Sequence, residues 1–281
     1  MNNATNQSIP DVTFNNGLTM PMFGLGTFKT PPGETTENSV RWALEAGYRK
    51  VDTASFYDNE EGVGNGIKAS GVPRDEIFVT TKIWTTEMGF ENTLEAFDRS
   101  RKKLGIDILD LYLIHWPEKD TFMETWKAME KLYAEGKVRA IGLSNFEPHH
   151  IDKLKNEAEV QPVLNQVELH PYLNQEAVRE YCNKNDIVVE AWSPISKGKV
   201  LEDPVIKEIA EAHGKSPVHV TLRWEHQHGV VVIPKSVHKE RIEENMKIFD
   251  FALSQDEMRK MDQLDNDGRL GPHPDDKGGW R

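Results

Sequence analysis

The sequence predicts an α/β fold, a (β/α)8 TIM barrel with an N-terminal β-hairpin. Three observations carry that expectation. Short β-branched runs alternate with longer amphipathic segments, which implies parallel βαβ units. The alternation repeats eight times, which favours a closed barrel over an open sheet. The chain has 281 residues, near the roughly 250 that one such barrel uses.

The elements follow in order. Val12–Met20 reads as a hairpin around Asn15-Asn16-Gly17, because Asn-Gly favours tight turns; it is placed to cover the bottom of the barrel. The eight strands are expected at Met22–Gly26, Lys50–Asp52, Ile77–Lys82, Leu109–His115, Val138–Ser144, Val163–Glu168, Ile187–Trp192 and Val230–Pro234. The helical patterns between and after them are Glu37–Ala46, Glu60–Ser70, Asn92–Leu104, Thr121–Glu135, His149–Glu157, Gln175–Asn185, Pro204–His213 and Ser216–His228. Ser216 before Pro217 has the chemistry of an N-cap. The tail from Asp265 is rich in Gly, Pro and Asp and is expected to lie over the surface. No linker divides the chain, so residues 1–281 are expected to form a single barrel domain.

Composition narrows the class. The net charge is −12, which opposes binding to nucleic acid or to acidic membranes. No run approaches the roughly 18 apolar residues of a membrane-spanning helix. The opening residues lack the basic and apolar regions of a signal peptide. Cys182 is the single cysteine, so no intrachain disulfide can form, which fits a reducing, cytoplasmic setting.

In this fold, active sites gather at the C-terminal ends of the strands. The residues expected there are Asp52 with Tyr57 five positions on, Lys82 and Trp84, His115 and Trp116, Ser144 and Asn145, Gln166 and Glu168, Trp192 and Ser193, and Lys235 and Ser236. Taken singly, each has a plain structural explanation. A strand-end Asp, Lys or His is usually a solvated loop residue or a cap, Asp52 could cap the next helix, and Trp84, Trp116 and Trp192 could be core. A lone Tyr57 could be a packed ring with a satisfied hydroxyl. Convergence decides against those explanations: Asp52, Tyr57, Lys82 and His115 come from three adjacent strands and are ringed by aromatics. Gly24-Leu25-Gly26 is not a dinucleotide fingerprint, because it lacks the third glycine and the helix start.

Six segments in order carry a family resemblance: Asp52-Thr53-Ala54-Ser55-Phe56-Tyr57, Lys82-Ile83-Trp84, Leu113-Ile114-His115-Trp116-Pro117, Gly142-Leu143-Ser144-Asn145-Phe146, Asn165-Gln166-Val167-Glu168 and Ile233-Pro234-Lys235-Ser236. From about Val12 to Pro274 the chain resembles the aldo-keto reductase superfamily. It is most similar to the bacterial branch of glyoxal/methylglyoxal and 2,5-diketo-gluconate reductases. The resemblance implies a catalytic tetrad of Asp52, Tyr57, Lys82 and His115, and NADPH/NADP+ as cofactor. It implies that Ser144, Asn145 and Gln166 bind the nicotinamide carboxamide and that Trp192 stacks on the ring, with Ser193 beside it and pro-R hydride transfer. It implies a phosphate site on Lys235, Ser236, Val237 and Arg241, with Glu244 and Asn245 at the adenine. His238 stands where relatives place Arg, which implies a less strict preference for NADPH. Phe56 and Asp58 depart from the usual Ile and Gly beside Tyr57. A monomer is the expected state.

The chemistry of the tetrad follows from its residue types. Tyrosine is a weak acid, with a free pKa of about 10. An ammonium at Lys82 favours its phenolate and eases proton donation. Asp52 can hold Lys82 charged, and His115 can donate to a carbonyl oxygen. Phe28, Trp84, His115 and Trp116 are the expected substrate walls, for a small carbonyl compound. The histidine spacing shows no metal pattern. Two other classes compete: a Schiff-base aldolase using Lys82, which the paired Asp52 argues against, and a nicotinamide-binding sensor without turnover, which has no need of Tyr57 beside Lys82.

Overall fold

The computed structural model describes residues 9–279. The start of the N-terminal stretch read for targeting signals lies outside the described residues. The hairpin comes first: β1 (Asp11–Thr13) pairs antiparallel with β2 (Thr19–Pro21). The turn is a three-residue loop, closed by Phe14 N–H to the Leu18 carbonyl at 2.9 Å, with Gly17 at φ 84°. A positive φ is easy for glycine, which explains why the Asn-Gly signal ends there. Phe14 and Met20 are buried, and Phe14 meets Phe78 edge to face. The Asn15 and Asn16 amides donate to the carbonyls of Pro162 and Arg139, near the N-terminal ends of two barrel strands. The hairpin therefore plugs the bottom of the barrel, as expected.

Eight parallel strands follow: β3 (Leu25–Gly26), β4 (Lys50–Asp52), β5 (Phe78–Ile83), β6 (Leu109–Ile114), β7 (Val138–Ser144), β8 (Leu164–Glu168), β9 (Val188–Trp192) and β10 (Val231–Val232). Each pairs with its sequence neighbour. The seam closes through a parallel bridge from Phe23 to Val232 and the Gly24 N–H to the Val232 carbonyl at 3.0 Å. β3 and β10 are shorter than expected because this seam is held by isolated contacts. Gly26 is required here: a Cβ on it would sit 2.6 Å from the Ile233 carbonyl oxygen.

The helices around the barrel are α1 (Glu34–Glu45), α2 (Glu60–Ser70), α3 (Phe90–Leu104), α4 (Phe122–Ala134), α5 (Pro148–Lys155), α6 (Glu176–Lys184), α7 (Pro204–His213) and α8 (Pro217–Gln227). Ser216 caps α8 as expected, accepting the His219 N–H. Three more lie beyond: α9 (Lys239–Asn245), α10 (Gln255–Asp262) and the single turn α11 (Pro274–Lys277). The main core fills the layer between helices and strands, with Val40, Val79, Ile114, Leu143 and Trp224 among its buried members. No helix among the described residues is long and apolar enough to cross a membrane.

One expectation needs correction. The tail does not simply lie over the surface. Leu270 and Gly271 donate their N–H groups to the two Glu168 carboxylate oxygens at 2.5 and 2.9 Å. Gly271 and Pro272 line the cavity in the barrel mouth. The anchor is a buried carboxylate drawing in backbone donors, and backbone contacts leave no mark on residue type.

Candidate active site

Side chains alternate along a strand, so Lys50 and Asp52 of β4 share one face and point into the barrel. Lys82 enters from β5, and its Nζ stands 2.6 Å from Asp52 Oδ1, 3.0 Å from the Thr53 carbonyl and 3.3 Å from Tyr57 Oη. Tyr57 ends a single 3-10 turn, Ser55–Tyr57. Asp52 does not cap the following helix. Thr53 instead donates to Asn59, whose amide ties this loop to the Thr27 carbonyl. His115 follows β6 and meets Tyr57 edge to face at 5.7 Å and Trp84 at 5.0 Å. The four residues thus converge on one point in the barrel mouth.

The electrostatics separate their protonation states. Burial works against a charge on Lys82, but Asp52 and Tyr57 outweigh it, so its pKa is raised. Burial raises the Tyr57 pKa, and the adjacent Lys82 ammonium works against that rise. Burial, then the positive charges of Lys82 and Lys277, hold His115 well below the usual histidine range. His115 is therefore neutral near pH 7 and carries one N–H. Lys82 is an ammonium, which disfavours the aldolase alternative, since that needs a free amine.

The cavity measures about 490 Å³. Phe28, Trp84, His115 and Trp116 all line it. The structure adds Phe56, which stacks on Trp84 at 3.8 Å; the departure beside Tyr57 thus builds the lip of the cavity. Ile195, Lys29 and Lys197 also line it and were not singled out in the sequence. Lys29 and Ile195 sit on loops and Lys197 in the short 3-10 segment Ser196–Leu201, where no periodicity marks a wall.

Ser144, Asn145, Gln166, Trp192, Ser193 and Lys235 face the same cavity. Asn145 takes a left-handed backbone, φ 63°, which Asn tolerates better than most residues. Its amide donates to the His115 carbonyl at 3.0 Å and accepts from Trp192 Nε1 at 2.8 Å. Ser144 donates to the Gln166 carbonyl at 2.9 Å. Ser236, Val237, Arg241, Glu244 and Asn245 are not part of the cavity wall. They run along the turn after Pro234 and along α9. Glu244 is ion-paired with Lys247, and the Ser236 hydroxyl accepts the His238 N–H. Two amides, a hydroxyl, an indole plane and the Lys197 and Lys235 cations at one rim suit a ligand that joins an aromatic carboxamide to phosphates.

Among the described residues, one group has the spacing of a metal site: His149, His150 and Asp275. His150 Nδ1 accepts the Glu147 N–H at 3.0 Å, which places its proton on Nε2, facing Asp275 at 3.0 Å. That is a hydrogen-bonded clasp from α5 to the tail, because a ligating nitrogen must offer its lone pair.

The tail anchor makes a pH prediction. Burial acts to raise the Glu168 pKa, but the His170 contact and the Gly271 and Leu270 N–H groups outweigh it, so it is lowered. A depressed carboxyl stabilises the folded form above its ordinary pKa, and the contribution is lost as pH falls through the folded value. The tail is expected to stay docked at neutral pH and to release only in acid. Glu168→Gln is expected to detach it at all pH values, at about 1–3 kcal/mol, read as faster hydrogen exchange at Leu270 and Gly271.

A barrel with a mouth cavity and a buried Asp–Lys–Tyr–His cluster at the C-terminal strand ends has the layout of a barrel enzyme's active site. The chain belongs to the aldo/keto reductase family: the family model matches residues 22–266. It is similar to the glyoxal reductase of Bacillus subtilis, 54% identical over 265 residues that cover 94% of this chain and 96% of that protein. It is also similar to a 9,11-endoperoxide prostaglandin H2 reductase of Trypanosoma cruzi, 53% identical over 94% of each chain. A Gox0644 mutant solved in complex with NADPH superposes with a TM-score of 0.92 at 44% identity, covering 96% of this chain and 98% of that one.

Proposed function

We propose that this protein is an NADPH-dependent carbonyl reductase that converts small aldehydes and ketones, such as methylglyoxal or keto-sugars, to alcohols. In this reading the chain works as one barrel domain and a monomer, acting on the CH–OH/carbonyl couple. The observation that carries it is Lys82, a buried ammonium 2.6 Å from Asp52 and 3.3 Å from the Tyr57 hydroxyl at the floor of the cavity. The relatives' names and the NADPH complex of the Gox0644 mutant support it.

NADPH, when bound, supplies the hydride. Ser144, Asn145 and Gln166 would hold its carboxamide, Trp192 with Ser193 its ring, and Lys235, Ser236, Val237 and Arg241 its phosphates, with Glu244 and Asn245 at the adenine. The protein's own task is the proton. Tyr57 gives its phenol proton to the carbonyl oxygen, and Lys82, held charged by Asp52, stabilises the phenolate left behind. His115, neutral and buried, donates its N–H to the same oxygen and fixes its position. Phe28, Trp84 and Trp116 exclude water around a small apolar body.

The test is consumption of NADPH, beside NADH, with methylglyoxal, an aromatic aldehyde and a keto-sugar. Turnover is expected with NADPH, with NADH slower but measurable because His238 replaces a cation at the phosphate segment. NADPH binding without turnover on every carbonyl would favour a sensing role.

A further inference from the structure

Beneath the tetrad lies a second buried ion pair that the mechanism does not use. Lys50 and Glu190 are both fully buried, with Lys50 Nζ 2.7 Å from Glu190 Oε2. Lys50 is built in: a Cβ on Gly24 would sit 2.7 Å from its Cγ, so that glycine makes room for the lysine stem. Its ammonium also lies 5.6 Å from the centre of the Phe78 ring. Glu190 and Gln166 are direct partners across β8 and β9. Gln166 Nε2 donates to Glu190 Oε1 at 2.6 Å and to Asp52 Oδ2 at 2.8 Å.

We propose that Glu190, held by Lys50, is a positioning residue that fixes the Gln166 amide and, through its second N–H, steadies Asp52 beside Lys82. This rests on the carbonyl-reductase reading of the cavity. A primary amide has two N–H donors, and two carboxylates take both. Only Oε1 is left, so Gln166 can present nothing but an acceptor to a ligand. The polarity of that cavity position is thereby set from below, and it selects a ligand group that donates. Lys50 keeps the arrangement one-way. Burial pushes the Glu190 carboxyl above its usual range and Lys50 pulls against that rise. A protonated Glu190 would become a donor and compete with the Gln166 N–H. Replacing a buried ion pair with apolar residues is often neutral or stabilising, so the barrel is expected to fold without the pair.

The test compares two double variants with the parent by the side-chain amide resonances of Gln166, assigned through their loss in Gln166→Met, and by fluorescence titration with NADP+. In the parent, both amide protons are expected to exchange slowly, and fast exchange would overturn the proposal whatever the variants do. Lys50→Met with Glu190→Leu removes the acceptor. It should lose that protection and weaken NADP+ binding by about tenfold or more, with a cooperative thermal transition retained. Lys50→Met with Glu190→Gln keeps an acceptor oxygen. It should stay within about twofold of the parent, well under 1 kcal/mol. Parent-like resonances and affinity in the Leu variant, or equal losses in both, would overturn the proposal. Failure of the parent to bind NADP+ or turn over carbonyls counts against the functional reading alone, since the amide resonances are read without ligand.

Discussion

Tyr57→Phe is expected to abolish carbonyl reduction while leaving NADPH affinity within about twofold of the parent. General acid catalysis contributes typically about 10²–10⁴-fold, and the phenol proposed as that acid lies 3.3 Å from the Lys82 ammonium. The substitution removes one oxygen and keeps the ring, so its contact with Phe28 at 5.0 Å should survive. Turnover and binding must be measured separately, by steady-state NADPH consumption and by fluorescence quenching. A variant that keeps parental turnover would remove Tyr57 from the mechanism. Loss of binding in proportion to turnover would make it a wall of the cofactor site instead.

Lys82→Met should cost both activity and stability. It leaves Asp52 buried with no cation, and breaking one side of such a pair typically costs about 3–5 kcal/mol. Pairing it with Asp52→Asn should restore most of the lost stability and none of the activity, because no ammonium then faces Tyr57. Denaturant midpoints and turnover of the parent and the two variants separate these effects. The pH dependence has a definite sign. Burial opposes the Lys82 charge, yet Asp52 and Tyr57 raise its pKa overall. A raised lysine contributes its stability in full below the ordinary lysine pKa and loses it as pH rises through the folded value. The parent should therefore lose this contribution only in strong alkali, and the double variant should lack that alkaline step.

The barrel was legible because its strands are short β-branched runs with polar ends, and the six motifs lie at those ends in order. Asp52, Lys82 and His115 could be placed on one rim from strand boundaries alone. What escaped the sequence reading lacks a periodic signal. The helix α10 opens with a capping box, Ser254 and Glu257, but it buries only Met261, so no apolar stripe announces it. The tail reached the cavity through backbone N–H groups on Glu168, which any residue type provides. Glu190 interrupts an apolar strand, Val188-Val189 before it and Ala191 after it. That interruption was visible, but its partner Lys50 is 140 positions away in sequence, and only the register of the closed barrel brings them together. The segment from Ser236 to Asn245 was readable as a motif. Its side chains lie outside the cavity wall, so its role depends on how far a bound ligand extends along α9.

The most direct measurement is mass spectrometry of the alcohol formed from methylglyoxal with NADPH deuterated at the pro-R position of its nicotinamide ring. If the cofactor's pro-R hydride is delivered in this cavity to the carbonyl that Tyr57 protonates, the alcohol carries the deuterium on its new C–H bond. The pro-S isotopomer then gives unlabelled alcohol. Unlabelled product from the pro-R cofactor, or no alcohol at all while NADPH is bound, would contradict the account.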